Sequence, residues 1–173
     1  MNIDGLTTST DLIWAAANDA LDLDSLTDAQ VNIIVDLACL LMVRRGQRDD
    51  GLASPGDAKR VLRTFIGKER HEVFVAIYLD NRHRILGMVK HFQGTIDSAE
   101  VHPRVVLQRA LELNAAAAIV SHNHPSGIAE PSMADRRLTK NLAEALRYCD
   151  VRLLDHIIVT TSETYSFAEN GLM

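Results

Sequence analysis

The hydrophobic pattern of this 173-residue chain changes its period at Glu72, and this change constrains the fold more than any other feature. From there, residues 73–79 form a run rich in strand-forming side chains, residues 80–83 are typical of a turn, and residues 84–92 return as a second strand. Apolar residues before this point recur instead at helical spacing. The sequence therefore predicts helices first and then a β-hairpin.

Helix and strand patterns alternate after the hairpin. Residues 103–114 are predicted to form a helix that opens with a proline, and residues 115–121 a buried strand. A helix over residues 133–148, a strand over residues 151–160 and a short edge strand at 164–167 complete the pattern. Strands that alternate with helices predict a mixed β-sheet flanked by helices, a fold of the α/β class.

The N-terminal part is predicted to be helical throughout. Residues 10–23 show helical spacing, and Thr27 with Gln30 is typical of a capping box that starts a second helix, which ends at Gly46. The apolar surface of this second helix is wide, which indicates packing on two sides. Its partner is the first helix, the main domain or a second copy of the chain, so a homodimer through the N-terminal helices is one expectation.

A polar stretch over residues 47–55 separates this helical part from the rest of the chain. It carries a glycine and a proline, residues that interrupt regular structure. Ser54 then caps a third helix that ends near Gly67. We therefore predict an N-terminal helical segment over residues 1–50 and a main domain over residues 51–173.

Composition indicates a cytoplasmic globular protein. The net charge of −5 disfavours direct binding of nucleic acid, and 47% hydrophobic residues are enough for a core. Cys39 and Cys149 lie far apart in apolar helical patterns, so a disulfide framework is not expected. Neither a signal peptide nor an apolar run long enough to cross a membrane is expected from the pattern.

A polar motif, His-Asn-His-Pro-Ser-Gly over residues 122–127, follows the buried strand. Because side chains alternate along a strand, His122 and His124 should point the same way. The proline and glycine then end the strand, and a loop leads to a helix whose first turn contains Asp135. Two histidines and an aspartate leave one tetrahedral position open, as catalytic zinc requires, and such zinc lowers the pKa of bound water toward about 7.

Each half of this motif has an ordinary interpretation when taken alone. A single His-x-His pair is usually surface or core histidine, and Ser132 with Asp135 is a capping box. In the order strand, His-x-His, loop, Ser-x-x-Asp, helix, however, the chain resembles the JAMM (MPN+) metalloproteases. In those enzymes ten residues separate the second histidine from the aspartate, and residues 125–134 supply those ten here.

The flanking residues resemble RadC-like proteins in particular, through Pro131-Ser132 and Leu154-Asp155-His156. The resemblance extends from about Ser54 to the C-terminus and implies a JAMM/MPN fold similar to that of cytidine deaminases. In JAMM enzymes the histidines and the aspartate bind zinc, which adds to the prediction for this chain. Asp155 and His156 either orient the metal-binding histidines by accepting hydrogen bonds from them or form an ordinary hydrogen-bonded pair.

The resemblance implies two catalytic residues as well. JAMM enzymes use a glutamate on the first strand of the domain as general acid and base, and Glu72 matches it. Glu69 precedes that strand and Glu100 lies on a loop, so both are weaker candidates. The serine of Ser-x-x-Asp donates a hydrogen bond to the developing oxyanion, and Ser132 takes this role by resemblance.

These residues predict a zinc-dependent hydrolase that cleaves a peptide or isopeptide bond in a peptide or protein substrate. An alternative is a non-catalytic RadC-family accessory role in DNA repair or mobile-element biology, although residues 1–50 show no glycine-centred helix-hairpin-helix signature. Two histidines and a carboxylate also describe mononuclear iron sites. Deamination is disfavoured because the Pro-Cys-x-x-Cys motif is absent.

Overall fold

The computed structural model describes residues 26–46, 52, 54–94 and 101–173, and the helix predicted at residues 10–23 lies outside this part. The chain divides into two compact units, Met1–Met42 and Val43–Met173. The described helices are α1 (Asp28–Gly46), α2 (Pro55–Ile66), α3 (Pro103–Glu112) and α4 (Met133–Arg147), and the strands are β1 (Val73–Leu79), β2 (Ile85–Gln93), β3 (Ala117–Asn123), β4 (Arg152–Val159) and β5 (Thr164–Ser166).

Helix α1 begins with the capping box that the sequence predicts. The Gln30 side-chain oxygen accepts a hydrogen bond from the Thr27 N–H at 2.9 Å, and the Gln30 N–H donates to Thr27 Oγ1 at 3.3 Å. The helix ends at Gly46, as the sequence predicts. Within the described part of the chain, no helix is both long enough and apolar enough to cross a membrane.

The five strands form one sheet in the order β2-β1-β3-β4-β5. The β1 strand pairs antiparallel with both β2 and β3, β3 pairs parallel with β4, and β5 lies antiparallel at the edge beside β4. Helix α4 makes the crossover between the parallel strands β3 and β4, as a parallel pair requires. The predicted mixed sheet with flanking helices is confirmed.

Alternate residues of the strands face two separate hydrophobic clusters. One cluster lies under α2, and the other lies under α3 and α4. The α2 side includes Ala58, Leu62, Ile66, Val73, Val75, Ile77, Leu79, Ile119, Ile157 and Val159, and the α3/α4 side includes Phe74, Ala76, Tyr78, Val106, Ala110, Ala118, Val120, Leu142 and Leu146.

Strand β3 extends two residues beyond its predicted end at residue 121. It is a central strand with neighbours on both sides, and His122 pairs with Phe74 of β1 while Asn123 pairs with Val159 of β4. These pairings keep the polar end of the strand in the sheet although its side chains are no longer apolar. The first histidine of the motif therefore sits within a strand, on a rigid backbone.

Candidate metal centre

Three potential ligands converge at the carboxyl end of β3. One ligand atom from each of His122, His124 and Asp135 lies within 4.8 Å of the other two. The two histidine Nε2 atoms are 2.9 Å apart, and Asp135 Oδ1 lies 3.2 Å from His122 Nε2. His122 and Asp135 are buried and His124 is half-buried. A group of this kind can hold a metal ion.

The path of the chain explains why these side chains meet. The His124 N–H donates to the Val159 carbonyl at 2.9 Å, so His124 continues the line of β3 and projects on the same side as His122. Gly127 then turns the loop with a φ of +83°, in the left-handed region that favours glycine. The loop leads back to the first turn of α4, which carries Asp135.

Ser132 and Asp135 form the capping box of α4. The Ser132 hydroxyl accepts from the Asp135 N–H at 3.1 Å, and Asp135 Oδ2 accepts from the Ser132 N–H and hydroxyl at 2.7 and 2.6 Å. Burial raises the pKa of the Asp135 carboxyl. When a proton lies on His122 Nε2, the hydrogen bond and charge of His122, with the two Ser132 hydrogen bonds, outweigh burial and hold that pKa well below its usual range. Asp135 is therefore an anion at the start of a helix, where the helix dipole stabilises it further.

The protonation of His122 follows from a chain of three hydrogen bonds. The Thr139 hydroxyl donates to the Asp135 carbonyl at 2.7 Å, since a carbonyl can only accept, and must therefore accept from His156 Nδ1 at 2.6 Å. His156 Nε2 then carries no proton and accepts from His122 Nδ1 at 2.8 Å. Burial lowers the pKa of His156 well below its usual range, so His156 is neutral. When His122 is neutral, as a metal ligand must be, its lone pair therefore lies on Nε2.

His124 has the same protonation for a simpler reason. Its Nδ1 lies 2.8 Å from the Ile128 carbonyl, so Nδ1 must carry the proton and Nε2 the lone pair. When both histidines are neutral, their lone pairs face each other across 2.9 Å, beside the carboxylate of Asp135. Two lone pairs and an anion repel one another unless a proton or a cation lies between them. This donor set fits a divalent metal.

Glu72 lies beside this cluster because of strand pairing. Since β1 and β3 are antiparallel and Phe74 pairs with His122, the residues that precede β1 lie next to the carboxyl end of β3. Glu72 and Ser132 line a cleft of about 580 Å³ together with the three candidate ligands. Glu72 is exposed to solvent and stands just before β1 rather than within it.

The two rival glutamates are placed differently. The Glu69 carboxylate pairs with Lys90 at 2.7 Å and is absent from the described residues that line the cleft. Glu100 lies outside the described residues. Of Asp155 and His156, only His156 reaches the candidate ligands, because Asp155 bonds instead to the Ser166 hydroxyl and the Ala168 N–H.

The sequence pattern assigned no role to Thr139 or Asn123. Thr139 nevertheless bonds to His156 behind the candidate ligands, and Asn123 bonds to the backbone next to Glu72. Thr139 lies one helical turn after Asp135, so a hydroxyl four residues from a predicted ligand was the available signal. Asn123 lies between the two histidines, where strand alternation places it on the opposite face. Neither residue type is distinctive by itself, which is why the pattern did not single them out.

This site belongs to an α/β domain with a candidate metal centre at the carboxyl end of a strand, and comparison with known proteins supports one family. The family model described as the RadC-like JAB domain matches residues 52–172. Curated relatives named UPF0758 protein include one from Marinobacter nauticus, 49% identical over 84% of this chain and 65% of the relative. One from Nitrosococcus oceani is 53% identical over 79% of this chain and 63% of the relative.

A further UPF0758 protein, from Azotobacter vinelandii, is 47% identical over 91% of this chain and 70% of the relative. The chain spans a little under two thirds of the length of the first two relatives. The match with the family model covers most of the chain, and the identities are far above those of chance similarity. The chain therefore belongs to the RadC-like JAB domain family.

Proposed function

We propose that this domain is a zinc-dependent hydrolase that cleaves a peptide or isopeptide bond. One observation supports the proposal above all others. Glu72 and Ser132, the two residues that the JAMM resemblance names for catalysis, line the same cleft as the cluster of His122, His124 and Asp135. These residues come from three separate parts of the chain, so their meeting is a property of the fold.

The donor set fits zinc. Two imidazole nitrogens and one carboxylate oxygen are ligands that zinc accepts, and they occupy three positions of a tetrahedron. When bound, zinc would lower the pKa of its water toward about 7 and polarise the carbonyl of the scissile amide. His156 and the Ile128 carbonyl would keep the two imidazoles in the protonation state that binding requires.

Glu72 is placed to move the proton. It is exposed to solvent and lines the cleft without being one of the clustered ligands, which is the position of a general base rather than of a ligand. It would take a proton from water and give it to the leaving amine. Ser132 donates its hydroxyl proton to Asp135 here, so an oxyanion role requires that this proton turn toward the substrate.

The walls of the cleft suit a peptide. Phe74, Val101 and Leu138 provide apolar surface, while Arg137 and Asn141 provide polar groups. Two large apolar side chains near the cleft are exposed, Ile128 at 64% in the loop that follows His124 and Met133 at 69% at the start of α4. An open cleft with mixed walls can bind an extended chain with alternating side chains and backbone polar groups. This supports a peptide or protein substrate rather than a nucleobase.

The experiment that tests the proposal separates metal binding from turnover. Zinc-loaded protein is incubated with a peptide library, and cleavage is followed by mass spectrometry for the unchanged chain and for Glu72→Gln. Glu72→Gln should keep one equivalent of zinc and lose turnover by about 100-fold to 10,000-fold, the usual contribution of a general base. Glu69→Gln is the matched control, three residues earlier and paired with Lys90, and should keep both.

The other outcomes point to other functions. Zinc binding without cleavage in any variant favours the non-catalytic RadC-family role. Iron in place of zinc moves the site to the two-histidine, one-carboxylate iron class. Equal turnover in Glu72→Gln and the unchanged chain contradicts the role of Glu72.

A further inference from the structure

The segment that carries Glu72 has no regular secondary structure. Residues 69–72 lie between the turn that follows α2 and the start of β1, and are neither helical nor part of the sheet. A general base must nevertheless be held within a fraction of an ångström of its working position. Some other contact must therefore order this segment.

Asn123 makes that contact through its side chain. Its Oδ1 accepts from the Val73 N–H at 2.7 Å, and its Nδ2 donates to the carbonyls of Glu69 at 3.1 Å and His71 at 3.0 Å. Asn123 is 1% exposed, so these hydrogen bonds are shielded from water. One side chain thus binds the backbone at three points on both sides of Glu72.

The Glu72 backbone is also held from the opposite side. Its carbonyl accepts from the Gly94 N–H, just after β2, at 2.7 Å. The segment therefore lies between the end of β2 and the end of β3. Hydrogen bonds from these two ends hold backbone groups of four residues, Glu69, His71, Glu72 and Val73.

An asparagine suits this position better than its nearest relatives. The site requires one acceptor and two donors at the tip of a short side chain, and the asparagine amide supplies this combination. An ionised aspartate only accepts, and a serine hydroxyl has one proton to donate. Asn123 also stands directly between His122 and His124, so the same three residues of β3 determine where the metal ligands and the Glu72 segment lie.

We propose that Asn123 is a positioning residue for Glu72, which it fixes relative to the metal centre by tying residues 69–73 to the ligand-bearing end of β3. This inference rests on the proposed function. It also assigns a purpose to the middle residue of the His-Asn-His motif. Its hydrogen bonds go to backbone groups alone and to none of the ligand side chains, so it acts on Glu72 and leaves metal affinity unaffected.

The test uses acetohydroxamate as a probe that needs no known substrate. A hydroxamate binds zinc through its two oxygens and forms a hydrogen bond with a carboxylate base beside the metal. Its dissociation constant is measured by calorimetry on the zinc-loaded full chain. Glu72→Gln should weaken binding by about tenfold or more, as expected when a hydrogen bond to a charged group is lost. Asn123→Asp, which keeps the acceptor and loses the donors, should weaken it similarly.

Two further variants make the comparison specific. Asn123→Ser provides a smaller second test in case Asn123→Asp does not fold. Asn170→Asp is the matched control, because Asn170 Nδ2 donates to the Ser166 carbonyl at 2.7 Å, after β5 and away from the residues that line the cleft. Zinc dissociation constants should stay the same in all of these variants. The double variant of Glu72→Gln with Asn123→Asp should bind the probe no more weakly than Glu72→Gln alone.

The outcomes separate the two proposals. If Glu72→Gln weakens the probe and the Asn123 variants do not, the positioning role is wrong while the proposed function stands. If Glu72→Gln has no effect, the role of Glu72 is wrong, and that of Asn123 is wrong with it. Weaker zinc binding in the Asn123 variants would show that Asn123 acts on the ligands instead.

Hydrogen exchange gives a readout that is independent of zinc, and its first measurement uses only the unchanged chain. In the unchanged chain, the Val73 amide should be protected to a degree similar to the amides of β1. In Asn123→Asp, exchange over residues 69–73 should rise by about tenfold while the rest of β1 is unchanged. A Val73 amide that exchanges as fast as an exposed loop in the unchanged chain would overturn the inference.

Discussion

The two faces of the sheet are built from alternate residues of the same strands, and they carry different chemistry. On β4, Asp155 faces the α2 side and secures the turn after β5 through Ser166 and Ala168. The next residue, His156, faces the α4 side and binds His122 and Thr139. One face is thus mainly apolar and holds the sheet to α2, whereas the other becomes polar at the end of β3. Position on the sheet decides which residues serve structure and which serve the site.

The largest difference between the faces should appear when ligands are removed. We expect His122→Ala combined with Asp135→Ala to abolish stoichiometric zinc binding, because only one of three candidate ligands remains. Zinc affinity should fall by more than the roughly 10-fold to 100-fold that follows removal of a residue hydrogen-bonded to a metal ligand. Elemental analysis of the purified proteins checks this. Retention of one equivalent of zinc in the double variant would contradict the assignment of the site.

A substitution that creates a cavity on the α2 face should instead lower stability and leave zinc binding unchanged. Leu62 is fully buried, and Leu62→Ala should lower the free energy of unfolding by about 2–5 kcal/mol. The zinc dissociation constant of the folded protein should remain the same, since Leu62 contacts the cluster on the other side of the sheet. Urea denaturation and zinc titration on the same preparation measure both. A change in zinc affinity would show that the two faces are coupled.

Removing a contact behind the ligands should have an intermediate effect on metal affinity. Thr139→Val deletes the hydroxyl that orients His156, and we expect zinc to bind about 10-fold to 100-fold more weakly. Nitrogen NMR should also show that His122 no longer keeps its proton on Nδ1 alone. Thr160→Val is the matched control, because the Thr160 hydroxyl accepts from the Glu163 N–H and bonds none of the candidate ligands. Equal zinc affinities in the two variants would argue against the hydrogen-bond chain.

The smallest effect should be a pH dependence on the α2 face. Burial raises the pKa of Asp155, against smaller opposite effects of the hydrogen bonds from Ser166 and Ala168. The folded state therefore binds this proton more tightly than the unfolded chain, in which an aspartate pKa is about 3.9. Stability from this group is full below that pH and is lost as the pH rises through the folded pKa.

Asp155→Asn removes this titration. The variant should gain stability relative to the unchanged chain as the pH rises from about 4 toward neutrality, and the difference should then level off. Urea unfolding at a series of pH values measures it. A difference that is independent of pH, or that changes in the opposite direction, would mean that Asp155 does not titrate as its burial requires.

Most of the secondary structure could be predicted from the sequence because it depends on local spacing. The capping boxes at Thr27 and Ser132 mark helix starts through contacts three residues apart. The run at residues 73–79 is buried throughout, as its composition predicts. The end of β3 was less predictable, since His122 and Asn123 stay in the sheet only because β1 and β4 flank them.

The candidate site, like the secondary structure, was predictable from the sequence where it depends on local spacing and not where it depends on strand pairing. The sequence by itself determined that His122 and His124 project together and that Asp135 follows in the first turn of a helix, because period and capping are local properties. Only the tertiary structure decided that Glu72 lies in their cleft, since that depends on the antiparallel pairing of β1 with β3, about fifty residues apart in the chain.

The same limit applies to the residues that support the site. His156 reaches His122 because β3 and β4 are neighbours, Thr139 reaches His156 because α4 packs on β4, and Asn123 reaches the backbone around Glu72 because β1 lies beside β3. Each contact joins parts of the chain that no local pattern relates. Periodicity and capping come from neighbours along the chain, whereas hydrogen bonds between strands come from which strands the fold places side by side.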